Sequence, residues 1–229
     1  MGKPVNLLAI ETATTSCAIG LQCGDRLESR VLDTQRRHTE VLTEGISALL
    51  AECALRARDL ERVVVDRGPG LFTGLRVGLA TAQALARGRG IDLVGVSSLE
   101  LLAYGAWRHE RRGSLVAVVD ARRGELFAQN FVLDEGVRAT SEPHVTTALA
   151  LSIIFATSGD NVTFTGDGAK RYCETLDVVA NIVRFDQDVP SVLDALALGA
   201  QRPPSEEVTP LYLREADAVA NFSTRQRPS

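Results

Sequence analysis

The stretch Asp66–Gly78, DRGPGLFTGLRVG, constrains the fold of this chain more than any other. Three valines, Val63-Val64-Val65, precede it and read as a buried strand. Gly68-Pro69-Gly70 then interrupts any regular element, because glycine permits positive φ while proline fixes φ and lacks an N–H. Thr73 is a suitable N-cap, and helix-forming residues run from Gly74 to Arg87. The segment therefore predicts strand, tight loop, helix N-terminus. Within the helix, Gly74, Gly78 and Ala82 recur at every fourth position and form a bare ridge flanked by Leu75, Leu79, Gln83 and Ala86. An interior glycine costs roughly 1 kcal/mol against alanine, so close approach of another backbone should offset it. That backbone is either the chain's own sheet or a partner helix. A glycine-rich loop before a helix can also hold phosphate. Here, however, no GK[ST] follows, and the GxGxxG fingerprint fails because Leu71, Phe72 and Thr73 come after Gly70.

The remainder of the chain reads as alternating strands and helices. Val5–Ile10 is an apolar run closed by Glu11, and Thr12-Ala13-Thr14-Thr15-Ser16 is a small polar turn. Cys17–Cys23 and Arg26–Leu32 follow as a hairpin about Gly24-Asp25. Arg37–Leu55 has a wide apolar stripe, Val41, Leu42, Gly45, Ile46, Leu49, Leu50 and Cys53, and predicts a helix. Ser97 with Glu100 predicts a capping box for a helix over Leu99–Trp107. The charged stretch His109–Gly113 marks a boundary between halves. Leu115–Val119, the turn Asp120–Gly124 and Glu125–Leu133 open the second half as the first opened. Helices are expected within Pro143–Ala156, over Ala169–Leu176 and over Val192–Ala200, with a strand at Val162–Thr165 and a short terminal one at Leu211–Arg214. This is a duplicated α/β architecture, with lobes at 1–108 and 109–215 and a tail over 216–229.

Composition removes several function classes. The 229-residue chain is 45% hydrophobic, enough for a real core, and its net charge of −4 gives no global basic field for nucleic acid. Cys17, Cys23, Cys53 and Cys173 form no CxxC pair, and His38, His109 and His144 are scattered, so neither a zinc site nor a disulfide framework is expected. The N-terminal apolar run is too short for a signal or a membrane span, which predicts a cytoplasmic protein. Neither a GxSxG elbow nor a Ser/His/Asp set can be assembled. Glu11 and Asp120 are the acids that could serve a metal or catalysis; each could equally satisfy a strand end. No catalytic residue is assigned.

The opening β-turn-β-turn-β, with a Thr/Ser turn after an acid, resembles kinases and ATPases of the actin/hexokinase/Hsp70 type, which use that turn against phosphate. LLAIETATTSCAIGL, RRHTEVL, RGPGLFTGLRVGLATAQALA, GVSSLELLA, VVDARRGELF, TGDGA and PLYLR moreover fall in the order found in the TsaB (YeaZ) family. The resemblance covers nearly the whole chain, and GPGxFTGxRxG is its most specific segment.

What the resemblance implies is an actin/hexokinase-like (ASKHA) two-lobed fold with a reduced second lobe. It also implies a non-catalytic scaffold required to make threonylcarbamoyladenosine beside the tRNA anticodon. Such a protein binds and positions a TsaD-type catalytic subunit, is joined by a TsaE-type ATPase, forms a homodimer when alone, and meets tRNA only through the complex. ATP and metal belong to the partner subunits, and this chain needs no cofactor. The helices around Arg37–Leu55 and after the GPG loop would form the dimer surface, through His38, Val41, Leu42, Gly45, Ile46, Leu49, Gly74, Leu75, Gly78, Leu79 and Ala82. The signature loop residues are Gly68, Pro69, Gly70, Phe72, Thr73 and Arg76; Glu11, Thr12, Thr14 and Thr15 are the vestigial nucleotide loop. Two positions depart from the family: Glu11 replaces a common aspartate, and Leu71 replaces a serine. The rival readings are a small actin-like ATPase or kinase, favoured by Glu11 with Thr12–Ser16, and a protease acting on the partner.

Overall fold

The computed structural model describes residues 5–33, 38–179, 182–205 and 207–214, without the side chains of residues 38, 39 and 89. The expected start of the first helix at Arg37 and the expected tail over 216–229 lie outside the described residues. The first sheet is built from β1 (Leu7–Glu11), β2 (Ala18–Cys23), β3 (Arg26–Val31), β4 (Arg62–Asp66) and β5 (Asp92–Val96), in the order β3-β2-β1-β4-β5. β1–β2 and β2–β3 are antiparallel hairpin partners, while β4 and β5 add in parallel to β1.

The second sheet repeats the scheme. β6 (Gly113–Arg122) and β7 (Glu125–Leu133) form the antiparallel hairpin, and β8 (Val137–Ala139) and β9 (His144–Thr146) both pair with β7. β10 (Val162–Thr165) and β11 (Ile182–Arg184) then add in parallel to β6. Two sheets with the same winding, each covered by helices, make this a duplicated actin/hexokinase-like fold. The short strands β8, β9 and β11 had no counterpart in the sequence reading, because three residues are too few to show alternation.

Parallel strands must be covered on both faces, which is why Leu7–Ile10 of β1 and Val63–Val65 of β4 are apolar at every position. Leu8, Ile10, Val63 and Val65 point to one face of the first sheet. There α1 (His38–Glu52) and α2 (Phe72–Arg89) cover them with Leu42, Leu49, Leu79 and Ala82. Leu7, Ala9 and Val64 point to the other face, where α7 (Val192–Gln201) packs with Val192, Ala195 and Leu196. In the second sheet, Val116, Val118 and Phe164 meet α4 (Ala148–Ser158), α5 (Asp167–Arg171) and α6 (Cys173–Leu176). Leu115, Ala117 and Val119 meet α3 (Ser98–Arg108) through Leu99, Leu102 and Ala106. The last helix of each half thus covers the other half's sheet.

Local readings shift in four places. α2 begins at Phe72, with Leu71 at its N-cap and no side-chain cap, so Thr73 lies inside the first turn. Ser97 Oγ does cap α3, accepting from Leu99 N, but Glu100 pairs with Arg202 instead of closing a box. The expected helix over Ala169–Leu176 is two short helices meeting at Tyr172. Leu211–Arg214 is not a strand; it is an irregular strap, bent at Leu213 and Arg214, whose Leu211 N donates to Arg67 O at 2.7 Å.

Candidate functional site

Glu11 and Asp66 end the adjacent parallel strands β1 and β4, so the fold brings both carboxyls to the same sheet edge. Both are fully buried. Glu11 Oε1 accepts from Ala13 N at 2.9 Å, Thr14 N at 3.0 Å and Thr14 Oγ1 at 3.1 Å; its Oε2 is buried with no hydrogen-bond partner. Asp66 accepts from Gly68 N and Ser98 Oγ, each at 2.8 Å. Burial raises the Glu11 carboxyl to about 8, helped by the charge of Asp66, and burial raises Asp66 to about 7. Each acid therefore organises the loop that follows its own strand: Glu11 the Thr-rich turn, Asp66 the GPG loop.

The two loops are pressed together. Leu71 N donates to Ala13 O at 2.6 Å, and a Cβ at Gly70 would collide with that same carbonyl. Gly68 has φ +96°, which glycine alone adopts freely, and the Gly68–Pro69 peptide is cis. Thr12 Oγ1 donates to Gly74 O at 2.8 Å across to α2. A Cβ at Gly78 would strike the same hydroxyl. Thr12 and Thr14 thus spend their hydroxyls inside the protein, and within this turn only Thr15 is exposed. The turn that could have cradled phosphate is stoppered by the GPG loop.

The residues expected at the interface lie mostly inside the first lobe. Val41, Leu42, Ile46, Leu49, Leu75, Leu79 and Ala82 are buried against the first sheet, and Gly45, Gly74 and Gly78 face inward with them. The Gly74/Gly78/Ala82 ridge exists so that β1 and its turn can approach α2. It is intramolecular packing, and Gly78→Glu would break the fold before it tested any partner. Of His38 only the backbone, at the start of α1, is described. The outward face of the paired helices is instead Ser47, Ala48 and Ala51 of α1 with Ala80, Ala84 and Gly88 of α2, all exposed.

Among the signature residues, Gly68 and Pro69 are buried and Thr73 is exposed. Phe72 and Arg76 lie beside the strap. The Arg76 guanidinium sits 3.7 Å from the centroid of the Phe72 ring, and its Nε donates to Tyr212 Oη at 3.1 Å. Asp120 lies near the end of β6, two residues before Arg122 closes the strand. It accepts from Arg122 N at 3.0 Å and carries Arg122 at 3.2 Å and Arg171 at 3.5 Å. Asp66 was the residue that sequence reasoning missed. Its signal was an acid ending a buried strand, the same signal that singled out Glu11. Among the described residues no cluster of three metal-ligating side chains occurs.

A duplicated actin/hexokinase-like fold whose Thr12–Ser16 turn is packed by its own GPG loop defines the class of protein. Comparison with known proteins resolves the class further. The family model described as TsaD, tRNA N6-adenosine threonylcarbamoyltransferase, matches residues 32–198. The tRNA threonylcarbamoyladenosine biosynthesis protein TsaB of Escherichia coli is 34% identical over 131 residues, 57% of each chain. The protein of that name from Bacillus subtilis is 26% identical over 97% of this chain and 100% of its own length. A Pseudomonas aeruginosa crystal structure, of a protein described as similar to peptidase YEAZ, superposes with a TM-score of 0.78 at 26% identity. It covers 92% of this chain and 100% of that one. The chain belongs to the family that this model defines, and within it to the TsaB (YeaZ) proteins. It spans little more than half the length of the E. coli relative.

Proposed function

We propose that this chain is the non-catalytic subunit of a complex that makes threonylcarbamoyladenosine on tRNA, binding and positioning a TsaD-type catalytic subunit. The observation that carries the reading is the stoppered turn. Thr12 and Thr14 already bond within the chain, and Gly70 and Leu71 lie against the Ala13 carbonyl where a phosphate would have to enter. An actin-like protein without a phosphate cradle is suited to hold a partner, with ATP and metal carried by the TsaD-type and TsaE-type subunits.

The docking face in this reading is the outward side of α1 and α2, where alanine, serine and glycine let another helix pair approach closely. Light scattering on the chain, alone and mixed with the TsaD-type protein of the same cell, tests it. A one-to-one complex forming at the expense of a homodimer is expected. The double substitution Ala80→Glu with Ala84→Glu should weaken that complex by about tenfold or more while leaving the circular dichroism unchanged. No complex, with ATP turnover by the isolated chain, would restore the kinase or ATPase reading.

A further inference from the structure

The strap following α7 builds a second site that the scaffold role does not use. It leaves the first lobe at Val208, whose carbonyl accepts from Gln83 Nε2 at 2.8 Å, and passes the GPG loop at Leu211. It reaches the second lobe at Arg214, which pairs with Glu125 and donates to Ala121 O at 2.6 Å. Between these anchors a cleft opens between the lobes, with Phe72, Tyr212, Ala121, Arg122 and Phe127 among its walls. The Tyr212 ring lies 5.2 Å from that of Phe72, tilted by 32°, and Tyr212 keeps 41% of its surface exposed. Arg76, stacked on Phe72 and bonded to the Tyr212 hydroxyl, fixes the orientation of both rings.

Facing this platform is the β6–β7 turn. Arg122 and Arg123 hold φ of +67° and +56° there, the left-handed backbone of a tight hairpin turn. Arg122 and Arg171 both pair with the Asp120 carboxylate. Arg214 pairs with Glu125, and Arg76 bonds to Tyr212, so guanidinium groups stand on both sides of the cleft.

A preset, partly exposed aromatic ring with Arg76 and Arg122 beside it suits a planar base carrying a phosphate. A carboxylate peptide would leave the ring unused, and an apolar ligand would leave the arginines unused. We propose that this cleft mouth binds an unpaired nucleotide of an RNA strand, the base stacking on Tyr212 and the flanking phosphates pairing with Arg122, Arg123 and Arg171. That the RNA is a tRNA rests on the function proposed above; the site itself does not.

Fluorescence anisotropy of a labelled single-stranded ribonucleotide with the full chain tests the site. The measurement is made at low salt, about 50 mM, where phosphate contacts are strong. Tyr212→Ala should weaken binding by about tenfold, and Tyr212→Phe should restore most of it, since stacking needs only the ring. Arg123→Ala and Arg171→Ala should each lower the salt slope by about one. Tyr212→Ala should still form the complex with the TsaD-type partner, which separates this site from the helical face. Equal binding by wild type and Tyr212→Ala would overturn the proposal. Free AMP or ATP binding in the cleft without RNA binding would overturn it as well.

Discussion

Glu11 and Asp66 show how a single residue type can hold a loop at a calculable cost. Burial favours the protonated form of each carboxyl, and the Asp66 charge adds to it at Glu11, which is why both stand far above the ordinary carboxylate range. A proton bound more tightly in the folded state than in the unfolded one favours folding below the unfolded pKa, and that contribution is lost as pH rises through the folded pKa. For this pair the loss falls between the ordinary carboxyl values, 4.5 and 3.8, and the folded values, about 8 and about 7. Thermal stability should therefore drop as pH is raised from about 5 to about 9. Glu11→Gln removes one titrating group while keeping an acceptor for Ala13 N and Thr14 N, so its melting temperature should fall more shallowly over the same range. Melting curves at several pH values decide this; parallel slopes for the two proteins would mean that Glu11 does not hold its proton. In sequence, Glu11 was legible as a strand-ending acid, but its pairing with Asp66 was not. The parallel β1–β4 contact joins residues 55 apart, as the Asn6–Glu61 bond beside it shows, and no local pattern records that pairing.

At the scale of elements, α2 was predicted as a helix with a bare ridge, and both features are present. What periodicity could not give was the direction of the ridge. A helix normally betrays its inside by contrast between apolar and polar faces. α2 is small on both sides: Gly74, Gly78 and Ala82 face the sheet, while Ala80, Ala84 and Gly88 face outward. The two sets predict opposite mutational responses. Gly88 has no atom within 4 Å of a built Cβ, so Gly88→Ala should stabilise by about 0.5–1 kcal/mol through helix propensity alone. Gly78→Ala gains the same propensity but drives a methyl into Thr12 Oγ1 and disturbs its bond to Gly74 O. Overpacking of that kind costs about 1–3 kcal/mol, so the net change should be destabilising. Urea denaturation of both variants measures this, and a stabilising Gly78→Ala would show that the turn yields more easily than its packing suggests. The strap misled in a different way. The alternation of Leu211, Tyr212, Leu213 and Arg214 imitates a strand, yet these residues form an irregular strap that crosses between lobes.

At the scale of the molecule, the exchange of helices binds the halves into one unit. α3 follows the first sheet but covers the second, and α7 follows the second sheet but covers the first. The two helices also meet: Arg108 Nη1 pairs with Asp194 Oδ1 at 2.7 Å, Glu100 pairs with Arg202, and Gln201 Nε2 donates to Tyr104 Oη at 3.2 Å. Neither sheet can therefore lose its cover without disturbing the helix that covers the other. Leu196 makes this testable, because it is 1% exposed, sits in α7, and packs on the first sheet. Trp107, the one tryptophan of the chain, sits in α3 and packs against the core of the second sheet. Leu196→Ala should cost about 2–5 kcal/mol as a buried leucine truncation. If the exchange couples the lobes, the Trp107 fluorescence midpoint must move by as much as the circular dichroism midpoint, though the substitution lies on the opposite sheet. A fluorescence transition left in place while the dichroism shifts would mean that the lobes unfold independently. The cleft at their junction would then have no fixed width, and a site that draws Phe72 and Tyr212 from one side and Arg122 from the other depends on that width being fixed.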